Sequence, residues 1–105
     1  MNSFKDREKG FENKFAHDQE LQFRATARRN RLLGRWAAEL LGKTGDDVGA
    51  YAVEVVKADF EEAGDDDVVR KLVADLGGRA DEAAIRAKMK ECMETAKVQL
   101  MDETG

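Results

Sequence analysis

Apolar residues in this chain recur at spacings of three and four, and glycines cut the recurrence into separate runs. Val48, Tyr51, Ala52, Val55, Val56, Phe60 and Ala63 step by 3, 1, 3, 1, 4 and 3. Valine favours strands by propensity, but that period belongs to a helix with one buried face. Val68, Val69, Leu72, Val73 and Leu76 make a shorter run, and Ile85, Met89, Cys92, Met93, Ala96 and Leu100 a longer one. Gly42, Gly64 and Gly77-Gly78 stand where the runs stop, the place for a left-handed residue that ends a helix. Asp18, Thr44 or Asp46, Asp65-Asp66-Asp67 and Asp81 stand where the next helix needs a cap or an early acidic charge. Proline is absent. The pattern predicts an all-α fold, an antiparallel four-helix bundle over residues 17–105 preceded by a mobile N-terminal arm over residues 1–16. The third helix is too short for a full column and is expected to cross one end.

The stretch from Phe11 to Trp36 holds three of the five phenylalanines, the only histidine and the only tryptophan. As a helix it has two faces. Phe11, Phe15, Ala25, Leu32, Leu33 and Trp36 share one side, and Phe4 prolongs that line. Arg24, Arg28, Arg31 and Arg35, spaced 4, 3 and 4 apart, share the other. The first long helix is predicted from His17–Asp18 to Leu41, with Gly34 permitting close approach of a neighbour. The arm before it is rich in charge, and Gly10 interrupts it at a helix-interior cost of about 1 kcal/mol. Alone, such a segment is a marginal helix, so it is expected to be mobile.

Length sharpens that expectation. A helix of about 24 residues spans about 36 Å. Prolonged through Phe4, it would overhang its partners and leave the aromatic seam with nothing in the chain to bury against. Phe4, Phe11 and Phe15 therefore point to an external partner that receives the arm as a helix in a groove. The competing reading folds the arm back so that the rings fill a gap in the bundle. For the arginine ridge the alternatives are recognition of carboxylates or phosphates and a solvated face bridged to the acidic middle of the chain. Arg29 lies near the seam, where it either snorkels or pairs with a buried carboxylate such as Asp59 or Asp75.

Charge excludes some partners. Residues 1–36 carry nine Lys/Arg against five Asp/Glu, residues 37–81 five against twelve, and residues 82–105 four against five. The acidic body would repel a phosphate backbone, so a nucleic acid is not expected. There is no run of about 18 apolar residues for a membrane span. The start, MNSFKDREKG, lacks a signal-peptide core, and the one cysteine cannot form an internal disulfide, so a cytoplasmic chain is expected. Cys92 reads as a core thiol. Ser3 is the only serine and His17 has no sequence cue to a partner, which points away from an enzyme. The aspartates at 65–67 lack the alternating spacing of a calcium loop, and no metal site or required cofactor is expected.

Phe11, Lys14-Phe15-Ala16-His17-Asp18, Glu20, Phe23, Ala27-Arg28-Arg29-Asn30, Leu32-Leu33-Gly34 and Trp36-Ala37-Ala38 closely resemble the zeta inhibitor subunit of the alphaproteobacterial F-type ATP synthase. A second block agrees: Tyr51-Ala52, Val55-Val56, Ala58 through Val68, Arg70-Lys71 and Ala74-Asp75. The resemblance implies a four-helix bundle whose mobile N-terminal segment wedges between alpha and beta subunits of the ATPase head, against the gamma shaft. Rotation in the hydrolysis direction is blocked and synthesis largely spared. Phe4, Phe11, Lys14, Phe15, His17 and Phe23 are the candidate partner-binding residues. The family is also associated with ADP or ATP, for which Arg24, Arg28, Arg31 and Arg35 are candidates on charge alone. The alternative function is an adenine-nucleotide-sensing bundle that regulates another partner. As the inhibitor, the chain would be cytoplasmic and meet the inner membrane only through the synthase.

Overall fold

In a computed structural model that describes residues 3–61 and 64–104, five α-helices follow one another. They are α1 (Phe4–Phe15), α2 (Gln19–Leu40), α3 (Asp46–Ala58), α4 (Asp66–Leu76) and α5 (Glu82–Thr104), with a 3-10 turn at Gly77–Arg79. Among the described residues there is no strand, as the period predicts. The four helices expected from periodicity are α2 to α5, and the arm forms the fifth.

Local signals place several ends well. The Asp18 carboxylate accepts the Leu21 amide at 3.0 Å and caps α2. Leu41 closes that helix, with Gly42 left-handed at φ 78°. Asp81 accepts the Ala84 amide at 2.8 Å at the start of α5. Gly34 does what its size allows: a Cβ there would lie 2.7 Å from the Ala52 Cα, so α2 and α3 meet almost backbone to backbone.

Other ends differ. Neither Thr44 nor Asp46 caps α3; Gly45 does, at φ 58° and with no side-chain bond. The turn needs a left-handed residue there, and Asp46 and Asp47 are left in the first turn to meet the helix dipole. Periodicity carries α3 to Gly64, yet it stops at Ala58. The chain turns through Asp59 and Phe60, so that Asp59 and Asp65 both bear on Arg29. Phe60 is thereby left 66% exposed, whereas Ala63 lies outside the described residues.

The core forms two clusters. The larger joins Leu33, Ala37 and Ala38 of α2, Tyr51 and Val55 of α3, Val68, Val69, Leu72 and Leu76 of α4, and Ile85, Met89 and Cys92 of α5. Trp36 packs against it. The smaller cluster is Phe11, Ala25 and Leu100, with Phe15, Leu21, Met93 and Met101 around it. Only this second cluster contains residues of α1.

The arm therefore departs from expectation in one respect: it does not overhang. The chain breaks helix at Ala16–Asp18, and α1 lies against α5. The longest dimension of the molecule is 39 Å, little more than the roughly 33 Å that 22 residues of α2 occupy. Phe11 is 0% exposed, so its ring has a home within this chain. Ser3 and Asp6 start α1 with a capping box, Ser3 Oγ accepting the Asp6 amide at 3.1 Å. Gly10 is no interruption, because the Met101 methyl occupies the place beside it, 3.3 Å from where a Cβ would stand.

Candidate functional site

The residues proposed to meet a partner fall on α1, on the join between α1 and α2 and, for Phe23, near the start of α2. On α1 the rings of Phe11 and Phe15 lie 5.2 Å apart, and the Lys14 ammonium sits 5.4 Å from the Phe15 ring centre. Phe4, at the front of the helix, is 39% exposed. The last turn is tied to α2 by the Gln22 amide, which donates to the Phe15 carbonyl at 2.9 Å. Ala16 and His17 are exposed and form the join. Together with Gln19, Gln22, Phe23 and Thr26 they line a shallow groove.

The flank of α1 is written in charge. Lys5 bridges Glu94 at 2.6 Å and Arg7 faces Asp102 at 3.6 Å, while Glu12 pairs with Lys97. Each pair crosses from α1 to α5. The hydrogen bond from Lys5 holds the Glu94 carboxyl below its ordinary value against the opposing effect of desolvation, with the ammonium charge adding to the lowering.

Phe23 is 57% exposed and stacks on Phe60, 6.2 Å between ring centres at 25°. The pairing was not visible in the sequence, because Phe60 is far away along the chain and its spacing assigns it to the apolar line of α3. An exposed large ring is the one signal that marks it.

The arginine ridge divides. Arg24 pairs with Glu20 at 2.8 Å, and Arg28 donates to Glu103 at 3.0 Å and to Gln99 at 3.4 Å. Arg31 and Arg35 are exposed. Arg35, Trp36 and Lys88 share a groove between α2 and α5 with Glu39 and Glu91, and the Lys88 ammonium stands 5.8 Å from the Trp36 ring centre. The four guanidinium groups do not converge on one cradle.

Arg29 is the buried member, 3% exposed. It does not snorkel, and its ion-pair partner is Asp65 at 2.9 Å; Asn30 Oδ1 accepts from it at 3.0 and 2.9 Å. Asp59 is near enough to feel its charge, but burial outweighs that and raises the Asp59 carboxyl above its ordinary value. Asp75 goes elsewhere, to Lys71 at 2.9 Å and to the Tyr51 hydroxyl at 2.7 Å. The Arg29–Asp65 bridge ties the start of α4 to α2, which explains why Asp65 offers α4 no side-chain cap.

Comparisons with known proteins bear on the fold and the family. A solved solution NMR structure is 61% identical, covers 79% of this chain and 98% of its own, and superposes with a TM-score of 0.74. None of the curated proteins matches. A family model described as ATPase inhibitor subunit zeta matches residues 1–99, a span that takes in α1, the join, the arginine ridge and α5 as far as residue 99. The chain belongs to the ATPase inhibitor subunit zeta family.

Proposed function

We propose that the chain is a non-enzymatic inhibitory subunit of the F-type ATP synthase and that α1 is the part that acts. In this reading α1 swings away at the Ala16–Asp18 join and enters the interface between alpha and beta subunits as a helix. It bears there on the gamma shaft and blocks rotation in the hydrolysis direction. The observation that supports the reading is that α1 rests only on the smaller apolar cluster, so its departure leaves the larger core whole.

The energetics ask for both rings and charges. Counted from the released helix, burying Phe4, Phe11 and Phe15 in the partner contributes roughly 1.5–3 kcal/mol each, and Phe11 first gives up its buried place in this chain. Ordering about 12 residues costs roughly 1–2 kcal/mol apiece when the segment starts unfolded. A helix already capped by Ser3 and Asp6 starts with part of that ordering done. Lys14 and the basic side chains freed from α5 supply charge complementarity. No described helix is long and apolar enough to cross a membrane, so in this reading the synthase itself is the membrane contact.

The test is direct. Added to the purified ATPase head, the full chain is expected to lower ATP hydrolysis, while synthesis by the membrane-bound enzyme falls far less. Equal loss in both directions, or no loss in either, refutes the reading.

A second reading, regulation by ADP or ATP, is favoured by one observation: Trp36 lines a groove with Arg35, and the Lys88 ammonium stands over its ring. Glu39 and Glu91 in the same groove work against a phosphate. Titrating ADP is expected to change the emission of Trp36, the only tryptophan. A flat titration refutes this second reading.

A further inference from the structure

We propose that the seat of α1 on α5 is an autoinhibitory contact. The bundle competes with the ATPase for its own inhibitory helix, and the population of the released form sets how strongly the chain inhibits. This rests on the reading that α1 is the acting element.

The geometry makes the two states exclusive. Phe11 is sealed against Ala25 and Leu100 when α1 is home. The same ring cannot then be offered to a partner. The flanking charges are also in use: Lys5, Arg7 and Glu12 are engaged by Glu94, Asp102 and Lys97 of α5. For the basic pair, α5 thus displays carboxylates of the kind an acidic partner surface would have to supply. A helix cannot answer both surfaces at once, and any partner must outcompete the seat.

The seat is also built to let go. Its ion pairs lie at the surface, where each shifts an equilibrium by only about 1.4- to 5-fold and is screened by salt. Its apolar part is small and edged by the flexible thioethers of Met93 and Met101, both half-buried. The join at Ala16 and His17 is exposed, so nothing is torn from the larger core when α1 moves.

The contact has a diagnostic sign. Weakening the α5 side of the seat, without touching α1, should make the chain a better inhibitor. In the full chain, Glu94→Ala with Asp102→Ala removes both carboxylates, and Lys97→Ala removes the remaining pair independently. Two quantities are read: amide hydrogen exchange of residues 4–15, and the concentration that half-inhibits the purified ATPase head. The expected result is exchange at least threefold faster together with half-inhibition at a concentration at least threefold lower. Unchanged exchange, or faster exchange with equal or weaker inhibition, overturns the autoinhibitory contact while leaving the inhibitory role standing. A wild-type chain that does not inhibit the head overturns both.

Discussion

Replacing Phe11 and Phe15 together by alanine is expected to abolish inhibition of the F-type ATPase while the bundle stays folded. Counted from the released helix, two rings worth roughly 1.5–3 kcal/mol each in a partner interface correspond to a loss of about two to four decades in the inhibition constant, less the gain from loosening a seat that is itself weak. The same rings are needed at home, where a buried Phe→Ala change costs about 3–5 kcal/mol in an ordinary core. Here that cost is confined to the smaller cluster, because Phe11 and Phe15 touch nothing in the larger one. The helix α1 should therefore loosen from α5, yet helicity and cooperative melting of α2 to α5 should persist. Inhibition assays and a circular dichroism melt check the two halves separately. Retained inhibition would refute α1 as the acting element, and global unfolding would refute the separateness of the clusters. The contrast with the α5 variants is informative: loosening the seat from the α5 side strengthens inhibition, whereas removing the rings ends it.

Gly34→Val is expected to be the most damaging single change to the bundle. Any Cβ at position 34 meets the Ala52 Cα at 2.7 Å and the Val55 Cγ2 at 3.2 Å. The first of these is backbone and cannot rotate aside, so α2 and α3, the most extensive helix pair in the molecule, must move apart. Overpacking of this kind costs about 3 kcal/mol, and a valine is also a poorer helix former than the straight-chain residues. For a domain of this size the melting temperature should fall by roughly 12–24 °C. Gly34→Ala should fall less far, since alanine gains about 1 kcal/mol of helix propensity over glycine. A melt of Gly34→Val within a few degrees of wild type would show that the two helices are not held at this distance.

Much of the fold was legible because its signals are local. Asp18, Gly42 and Asp81 act on the four or five residues beside them, and their roles follow from cap chemistry alone. Gly34 was legible for a related reason: a glycine inside a strongly helical run has few other uses. The sequence was silent where one element chooses another. The period of Phe4, Phe11 and Phe15 says which face of the arm is apolar. It does not say that α5 turns Leu100 and Met101 toward that face. Arg29 illustrates the same limit, since its burial could be inferred but Asp65 was preferred over Asp59 and Asp75 by a turn of chain that no spacing encodes. Phe60 was misplaced because that turn ends α3 six residues before the glycine that should have ended it. The capping box of Ser3 lacks the usual sequence signature, because Asp6 and not Glu or Gln completes it.

The position of Trp36 has a practical consequence. The sole indole packs on the larger cluster, as does Tyr51, and neither belongs to the patch beneath α1. An intrinsic-emission denaturation curve will report the four later helices and stay blind while the front one detaches. Such a curve would look like a single all-or-none transition for a chain that has already changed its form, so two-state fits from that signal alone would miss the species that matters.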